Sequence, residues 1–446
     1  MTAVGALLGL FGLLYAVFSD LWQNSKGEPP QVTTLLEQQG ELQKVSEELT
    51  TLLDEVQRAL REDKGQSDLL SDLEKAIKEL SHGRPESAER LLRRIVENES
   101  QGEAPQSRAA EVLDYLAYRT WGLNFTVDSE GNVVIADHIT NRILRSGQHA
   151  KALTVLAGNG TRGFEGDGGQ AVDASLAASS GPAFGPDGKL YFADQLNHRI
   201  RRIDLVSGII DTVAGVGPDN SLTGGFTGDG GLAVGARLNR PGDVTFDIDG
   251  NLYITDVSNG RIRRIDGNTG IITTVAGSDN SNRVSNGDGG LATEATMDRP
   301  QRARINSRGD IIIAEGPSNK VRIVDAATGI ISTLAGTGTA GYGGDGGLGS
   351  NALLDGPYGI AVDAFDHVYI ADYRNCRIRK VDALTGIIST FAGNGECINA
   401  GDGGPLRAAR FMNPHKLVFS NTGDLYVGVK SSTGQAIRVI QGASKR

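Results

Sequence analysis

The chain is poor in the residues that most often carry redox or metal chemistry. Its 446 residues include two cysteines, six histidines and three methionines, and aromatic residues make up 5%. Two cysteines exclude a disulfide framework and a four-cysteine zinc site, and they leave room for one disulfide. No basic patch is interleaved with aromatic residues, so nucleic acid is not an expected partner.

Glycine, in contrast, is abundant and unevenly spread. Eight of the 61 glycines precede residue 121, and all others fall in residues 121–446. They follow no three-residue period, which excludes collagen. Charged residues at 22% and hydrophobic residues at 39% exclude a disordered chain. We therefore expect a helical first part and a turn-rich β second part.

The N-terminal segment is strongly apolar. Residues 3–18 contain no charged side chain, and the segment 3–22 reaches the roughly 20 residues that span a bilayer. Gly5 and Gly9 would let two such helices pack closely. We predict a membrane anchor over residues 3–22. A cleaved signal peptide is the first alternative, although no basic residue precedes the apolar run. A buried soluble helix is the second.

Residues 31–120 predict an α-helical stalk or adaptor. A heptad seam runs through Leu35, Leu42, Val45, Leu49, Leu52 and Val56. The seam predicts either a short coiled coil or packing on the following helices, and it leaves self-association through the N-terminal helices open. Residues 83–88 weakly resemble the turn of a tetratricopeptide repeat. Because only one copy is present, we favour a helical adaptor over a peptide-binding array.

From residue 121 to residue 446 a unit recurs six times. Its clearest mark is the string Gly-Asp-Gly-Gly, which occurs five times with successive spacings of 62, 59, 57 and 57 residues; its aspartates are Asp167, Asp229, Asp288, Asp345 and Asp402. Each full unit shows four strand signals separated by Asp, Asn and Gly turns. A period of this length in a strand-rich chain predicts the blades of a β-propeller.

These units resemble NHL repeats, a family of β-propeller repeats. The fifth unit carries the pattern most fully, from Pro357 to Gly393, as PYGIAVD, then VYIADYRNCRIRKVD, then TGIISTFAG. The resemblance covers residues 121–446 and implies a mainly β, six-bladed propeller after the apolar helix and the small α-helical region. The sixth unit lacks a fourth strand signal, so we expect an exposed or separately covered outer edge.

Two recurring polar features are interpreted as structural. An acid and a base stand five residues apart around the second turn of five units, as in Asp194 and Arg199, and predict a bridge across the turn. The aspartate of each Gly-Asp-Gly-Gly string can bind its own loop amides. Calcium is the minor alternative, because one carboxylate per loop is few for that ion. We therefore predict no cofactor.

The starts of the first strands supply the candidate ligand site. The first strand of each blade lines the central channel, and the NHL family prefers glycine two residues after its proline position. Four of these six positions are polar here, and the residues that precede three of the six positions add further candidates. The predicted ligand-binding set at the channel mouth is Asn124, Asp243, Gln301, Arg302, Tyr358, His415 and Lys416. The alternative is that these mixed charges compensate one another.

The two cysteines fall on the same face of the predicted propeller. Cys376 lies in the turn between the second and third strands of unit five, and Cys397 lies in the connection that follows. A disulfide between them is geometrically allowed. It would favour an exported domain.

No complete catalytic set emerges. Propeller lyases that resemble NHL proteins need three channel histidines, and only His415 stands at such a position. Arg302 and Lys416 would repel the calcium ion of a propeller lactonase. We predict a non-enzymatic binding module, membrane-anchored or exported, with an extracytoplasmic propeller that recognises a partner protein, peptide or glycan. The alternatives are an intracellular sensor or scaffold and, less favoured, a lactonase-like enzyme.

Overall fold

The computed structural model describes residues 124–146, 153–217, 224–279, 284–431 and 434–445. The predicted anchor over residues 3–22 and the predicted stalk over residues 31–120 lie outside these residues. Within the described ranges, no helix combines the length and the apolar character that crossing a membrane requires.

The described residues form 23 strands. In chain order they are β1 (Asn124–Val127), β2 (Val133–Asp137), β3 (Arg142–Ser146), β4 (Leu153–Ala157), β5 (Ser179–Phe184), β6 (Leu190–Asp194), β7 (Arg199–Ile203), β8 (Ile210–Ala214), β9 (Pro241–Phe246), β10 (Leu252–Asp256), β11 (Arg261–Ile265), β12 (Ile272–Ala276), β13 (Arg302–Ile305), β14 (Ile311–Glu315), β15 (Lys320–Val324), β16 (Ile331–Ala335), β17 (Pro357–Val362), β18 (Val368–Asp372), β19 (Arg377–Val381), β20 (Ile388–Ala392), β21 (Lys416–Phe419), β22 (Leu425–Ser431) and β23 (Gly434–Ile440).

Eight short 3₁₀ helices complete the described secondary structure. They are Ala171–Asp173, Gln195–Asn197, Ala233–Gly235, Val257–Asn259, Gly316–Ser318, Gly349–Asn351, Leu406–Ala408 and Ala443–Lys445.

The strands build six antiparallel sheets in chain order, which are the blades of a propeller. Strands β1–β4, β5–β8, β9–β12, β13–β16 and β17–β20 form blades one to five, and β21–β23 form blade six. Each strand pairs with the next along the chain, as the Asp, Asn and Gly turns require. The six-bladed, mainly β fold predicted from the repeats is confirmed.

The second strand of each of the first five blades is buried along its whole length. Such a strand has neighbours in its own sheet and blades on both faces, so its sequence begins with a short apolar run, as in the Ile-Ile-Ile-Ala that opens Ile311–Glu315. The core is accordingly distributed between successive blades. One cluster, for example, packs Ile254 of blade three against Ile200 of blade two.

Side-chain packing closes the ring. Phe125 and Val133 of blade one share a hydrophobic cluster with Val418, Tyr426 and Ile437 of blade six. In the part of the chain that the structure describes, no sheet combines strands of blade one and blade six. The predicted lack of a fourth strand in blade six is confirmed there, and β23 is the outer strand of that blade.

Candidate binding face

Antiparallel strand order brings three recurring elements to one side of the propeller. These are the starts of the first strands, the turns between second and third strands, and the connections between blades. We call this side the loop face, and we call residues 166–169, 228–231, 287–290, 344–347 and 401–404 the GDGG loops. The opposite face carries the turns between first and second strands and between third and fourth strands.

Four of the five GDGG loops are bound to the next blade by a fully buried arginine. In blade three, Arg263 on β11 is fully buried and donates to Asp229 of the GDGG loop at 2.6 Å. It also lies 3.7 Å from Asp256 at the end of β10 and donates to Thr227 O at 3.3 Å. The equivalent buried arginines of blades two, four and five are Arg201, Arg322 and Arg379.

Each buried arginine also faces the acid at the end of the second strand, which we call the inner carboxylate. Its pKa is raised. Burial raises the pKa of Asp256 to about 7, against the lowering effects of Asn259, the Asn239 amide and Arg263. Burial likewise raises the pKa of Asp194 to about 6. One arginine faces two carboxylates in each group, and burial penalises the charged form of the inner carboxylate, which raises its pKa.

These contacts correct the predicted pairing across the second turn. The interpretation as structure holds, but the ion pair joins the acid to the arginine seven residues later. In blade two, Asp194 lies 3.7 Å from Arg201, whereas Arg199 donates to Val216 O at 2.6 Å. The sequence signal for this pairing is the second arginine of the Arg-Ile-Arg string that begins the third strand.

The GDGG aspartates are therefore arginine ligands. All five pair with an arginine on the third strand of the following blade; the pairs are Asp167–Arg201, Asp229–Arg263, Asp288–Arg322, Asp345–Arg379 and Asp402–Arg438. Across the described ranges, no three His, Cys, Asp or Glu side chains are placed to hold a metal ion. The ion pairs give each GDGG aspartate a structural partner.

The polar residues predicted for the channel converge on one carboxylate. Asp243 accepts hydrogen bonds from Arg304 at 2.7 Å and from Lys416 at 3.2 Å, and Arg302 lies 3.4 Å away. Arg302 also donates to Asn124. We call these five residues the channel cluster.

The channel cluster joins opposite sides of the ring. Blades one and four are opposite in a six-bladed ring, and Asn124 and Arg302 belong to those blades. Asp243 and Lys416 likewise come from the opposed blades three and six. Gly181 of blade two leaves the space for this convergence, because a Cβ there would overlap Asp243. These contacts close the channel at the level where the first strands begin.

Burial sets the protonation of the cluster. Asp243, Arg302 and Lys416 are exposed by 0%, 3% and 1%. Burial opposes the ionisation of Asp243, but Lys416, Arg304 and Arg302 together hold its pKa well below the usual range. Burial lowers the pKa of Lys416, and Asp243 offsets only part of that effect. Burial also lowers the pKa of the adjacent His415 to about 4, so its ring is neutral at pH 7.

The predicted site residues therefore divide into two groups. Asn124, Asp243, Arg302 and Lys416 come together as predicted, and they bind one another below the surface of the loop face. His415 is buried beside them, and its Nδ1 lies 3.1 Å from Asn413 O. Gln301 and Tyr358 are half-buried at the rim. A ligand-binding role for the set stays a prediction, and the accessible residues of the rim are best placed for it.

The rim also contains Tyr373 and Lys430, which are not members of the predicted ligand-binding set. Tyr358 and Tyr373 lie with ring centroids 6.4 Å apart. The Lys430 ammonium is 5.6 Å from the Tyr373 ring, and the Arg302 guanidinium is 5.5 Å from the Tyr358 ring. Tyr373 directly follows the acid that ends β18, and that position in other blades, as at Val257, also reaches the channel mouth. This shared position, directly after the acid that ends the second strand, was the sequence signal that could have identified Tyr373.

The two cysteines form a disulfide beside this rim. Cys376, in the turn after β18, is bonded to Cys397 in the connection between blades five and six. The structure thus contains the pairing that the strand count allowed. Because Tyr373 lies in the same turn, the disulfide constrains the backbone that carries the rim aromatic residue.

Comparison with known proteins shows which proteins this chain is similar to. No family model matches the chain. It is 30% identical over 291 residues to Protein SUPPRESSOR OF QUENCHING 1, chloroplastic, of Arabidopsis thaliana, covering 62% of this chain and 26% of that protein. It is 27% identical over 343 residues to NHL repeat-containing protein 2 of Gallus gallus, covering 71% of this chain and 45% of that protein. The chain thus spans less than half of these relatives.

Among solved structures, a structural genomics protein of unknown function from Bacteroides thetaiotaomicron matches 72% of this chain and 70% of its own. The identity is 20% and the TM-score is 0.49.

The fold and the loop face define a β-propeller that is consistent with a binding module. The kind of propeller follows from the repeat pattern, the six blades and the similarity to an NHL repeat-containing protein. The described residues form an NHL-repeat propeller.

Proposed function

We propose that this protein is a binding module whose loop face recognises a partner protein, a peptide or a glycan. The observation that carries the proposal is the aromatic pair Tyr358 and Tyr373, flanked by cations, above a channel closed by the channel cluster. Aromatic faces and cations at the edge of a rigid scaffold provide contact area at low entropic cost.

The same geometry disfavours the lactonase-like alternative. The residues that would ligate a channel calcium are Asn124 and Asp243, and both are bound by Arg302 or Lys416. A calcium ion there would have to displace buried cations from their carboxylate. The chemistry of this donor set therefore favours binding at the rim over metal-assisted hydrolysis in the channel.

A rim ligand should depend on Tyr373 and not on the opposite face. We expect peptides or glycans selected on the full chain from a random peptide library and a glycan array to bind Tyr373→Ala at least about tenfold more weakly, as for an aromatic anchor. Leu384→Ala is the matched control, because Leu384 lies in the same blade on the opposite face and is 94% exposed. Equal affinities for the two variants, or no selected ligand, would contradict the proposal.

We further propose that the propeller is exported and is tethered to a membrane by residues 3–22. The disulfide between Cys376 and Cys397 supports this location, because disulfides persist in oxidising compartments. The intracellular sensor or scaffold would hold both thiols reduced.

Thiol labelling tests the location. On intact cells, a membrane-impermeant thiol reagent should label the exposed Cys397 only after reduction. Cys397→Ser should remove that label and serves as the control for specificity. Labelling that requires cell lysis and no reductant would instead support the intracellular sensor.

A further inference from the structure

In blades two to five, the GDGG loop clamps the first residue of the fourth strand. In blade three, Gly230 N donates to Ile272 O at 2.8 Å, and Ile272 N donates to Gly231 O at 3.0 Å. The same reciprocal pair holds the first isoleucine of β8, β16 and β20; these residues are Ile210, Ile331 and Ile388. Each loop thus binds the backbone of one strand residue through two hydrogen bonds.

The clamped strands share the pattern Ile-x-Thr-x-Ala. They are Ile210–Ala214, Ile272–Ala276, Ile331–Ala335 and Ile388–Ala392. The threonine hydroxyl can bind the second oxygen of the loop aspartate, as Thr274 does with Asp229 at 2.7 Å. The GDGG loop therefore contacts one backbone position and one side chain of its strand.

Blade six keeps the clamp, but among the described residues it has no fourth strand to hold. Arg438 on β23 pairs with Asp402 as its counterparts do. In the described residues, however, the Gly403 N–H and the Gly404 carbonyl have no strand partner. The Asp402 side chain is 82% exposed, whereas the other four loop aspartates are exposed by 33%, 37%, 37% and 34%.

Blade one shows what happens where no loop precedes a blade. No Gly-Asp-Gly-Gly string stands before β1 in the sequence. Leu144 then replaces the buried arginine, and the fourth strand Leu153–Ala157 carries Val155 in place of threonine. The loop, the arginine and the threonine thus occur together or not at all, except in blade six, where Asp402 and Arg438 are present without the strand.

The residues that follow β23 are engaged elsewhere. Gly442 N donates to Asp424 Oδ1 at 2.6 Å, and Ser444 N donates to Gly423 O at 3.1 Å. Ala443 is buried in the cluster between blades five and six. This segment turns onto the blade, and among the described residues no strand pairs with the outer edge of β23.

We propose that an extended segment of a partner protein completes blade six by adding antiparallel to β23. Open strand edges bind extended segments through main-chain hydrogen bonds, and alternate side chains give specificity. The register of blade three predicts an apolar residue opposite Ile440, a threonine opposite Arg438 and a small residue opposite Ile437. The segment carries the pattern apolar-x-Thr-x-small, and its binding is independent of the loop-face rim.

A short peptide tests this proposal on the full chain. The probe is a fluorescent peptide with the sequence of residues 329–337, which includes the β16 pattern Ile-Ser-Thr-Leu-Ala. We expect saturable binding. A peptide carrying Ile331→Pro should bind at least about tenfold more weakly, since it lacks the N–H that Gly404 O would accept. A Thr333→Val peptide should bind several-fold more weakly.

Matched variants of the chain locate the binding. Asp402→Ala should weaken the peptide several-fold, whereas Asp288→Ala, in a blade that already holds its strand, should leave the affinity unchanged. Without peptide, the β23 amides that point away from β22 should exchange rapidly with deuterated solvent, and they should become protected when it binds. Equal binding of the proline peptide would overturn the proposal. Protection of these outward-pointing amides without peptide would also overturn it, because the full chain would then fill its own edge.

Discussion

Replacing Arg263 by methionine is expected to lower the free energy of unfolding by about 3–5 kcal/mol, as for removal of one partner from a buried ion pair. Arg263 is fully buried and contacts Asp229, Asp256 and the Thr227 carbonyl. Methionine fills a similar volume, so the loss would report the contacts that the buried Asp256, the partly exposed Asp229 and the Thr227 carbonyl lose with their donor. Urea denaturation measures the effect.

The next residue along β11 provides the control. The Arg264 side chain is 31% exposed and lies 3.4 Å from Asp266, which is also 31% exposed. Arg264→Met should therefore change the unfolding free energy by less than about 1 kcal/mol, as for a surface ion pair. Similar effects of the two substitutions would contradict the role assigned to the buried arginines.

Replacing Asp243 by asparagine is expected to be about as costly, roughly 3–5 kcal/mol, because it leaves buried cations without their counter-charge. Asp243 is the carboxylate on which Arg302, Arg304 and Lys416 converge. Asparagine keeps the size of the side chain, so the change isolates the charge.

A second substitution separates the lost charge from a general defect. Asp243→Asn combined with Lys416→Met removes one cation together with the carboxylate. The double variant should be more stable than the sum of the single effects predicts, by about 0.5–3 kcal/mol of coupling. Additive effects of the two substitutions would contradict the contact between opposed blades.

The sequence predicted the blades because four strand signals separated by turn residues recur in each full unit. It also placed the cysteines on one face by counting antiparallel strands, and the structure joins them. Both inferences depend on local patterns and chain order, which a single repeat already contains.

The burial of charge was harder to predict. Arg263 and Arg264 are adjacent and chemically identical, yet one is fully buried and the other partly exposed. Two features distinguish them. Successive side chains of a strand point to opposite faces, and a GDGG loop precedes this blade. The channel cluster is less local still, because Asn124 and Arg302 are 178 residues apart and meet only when the ring closes.

The most direct test of the account compares the rim with the channel. The measurement is the dissociation constant of a ligand selected on the full chain, determined for Tyr373→Ala and for the Asp243→Asn/Lys416→Met double variant under conditions where both are folded. The account predicts at least about tenfold weaker binding to the rim variant and less than about threefold change for the double variant. Loss of binding in the double variant with full affinity in Tyr373→Ala would instead place the ligand in the channel.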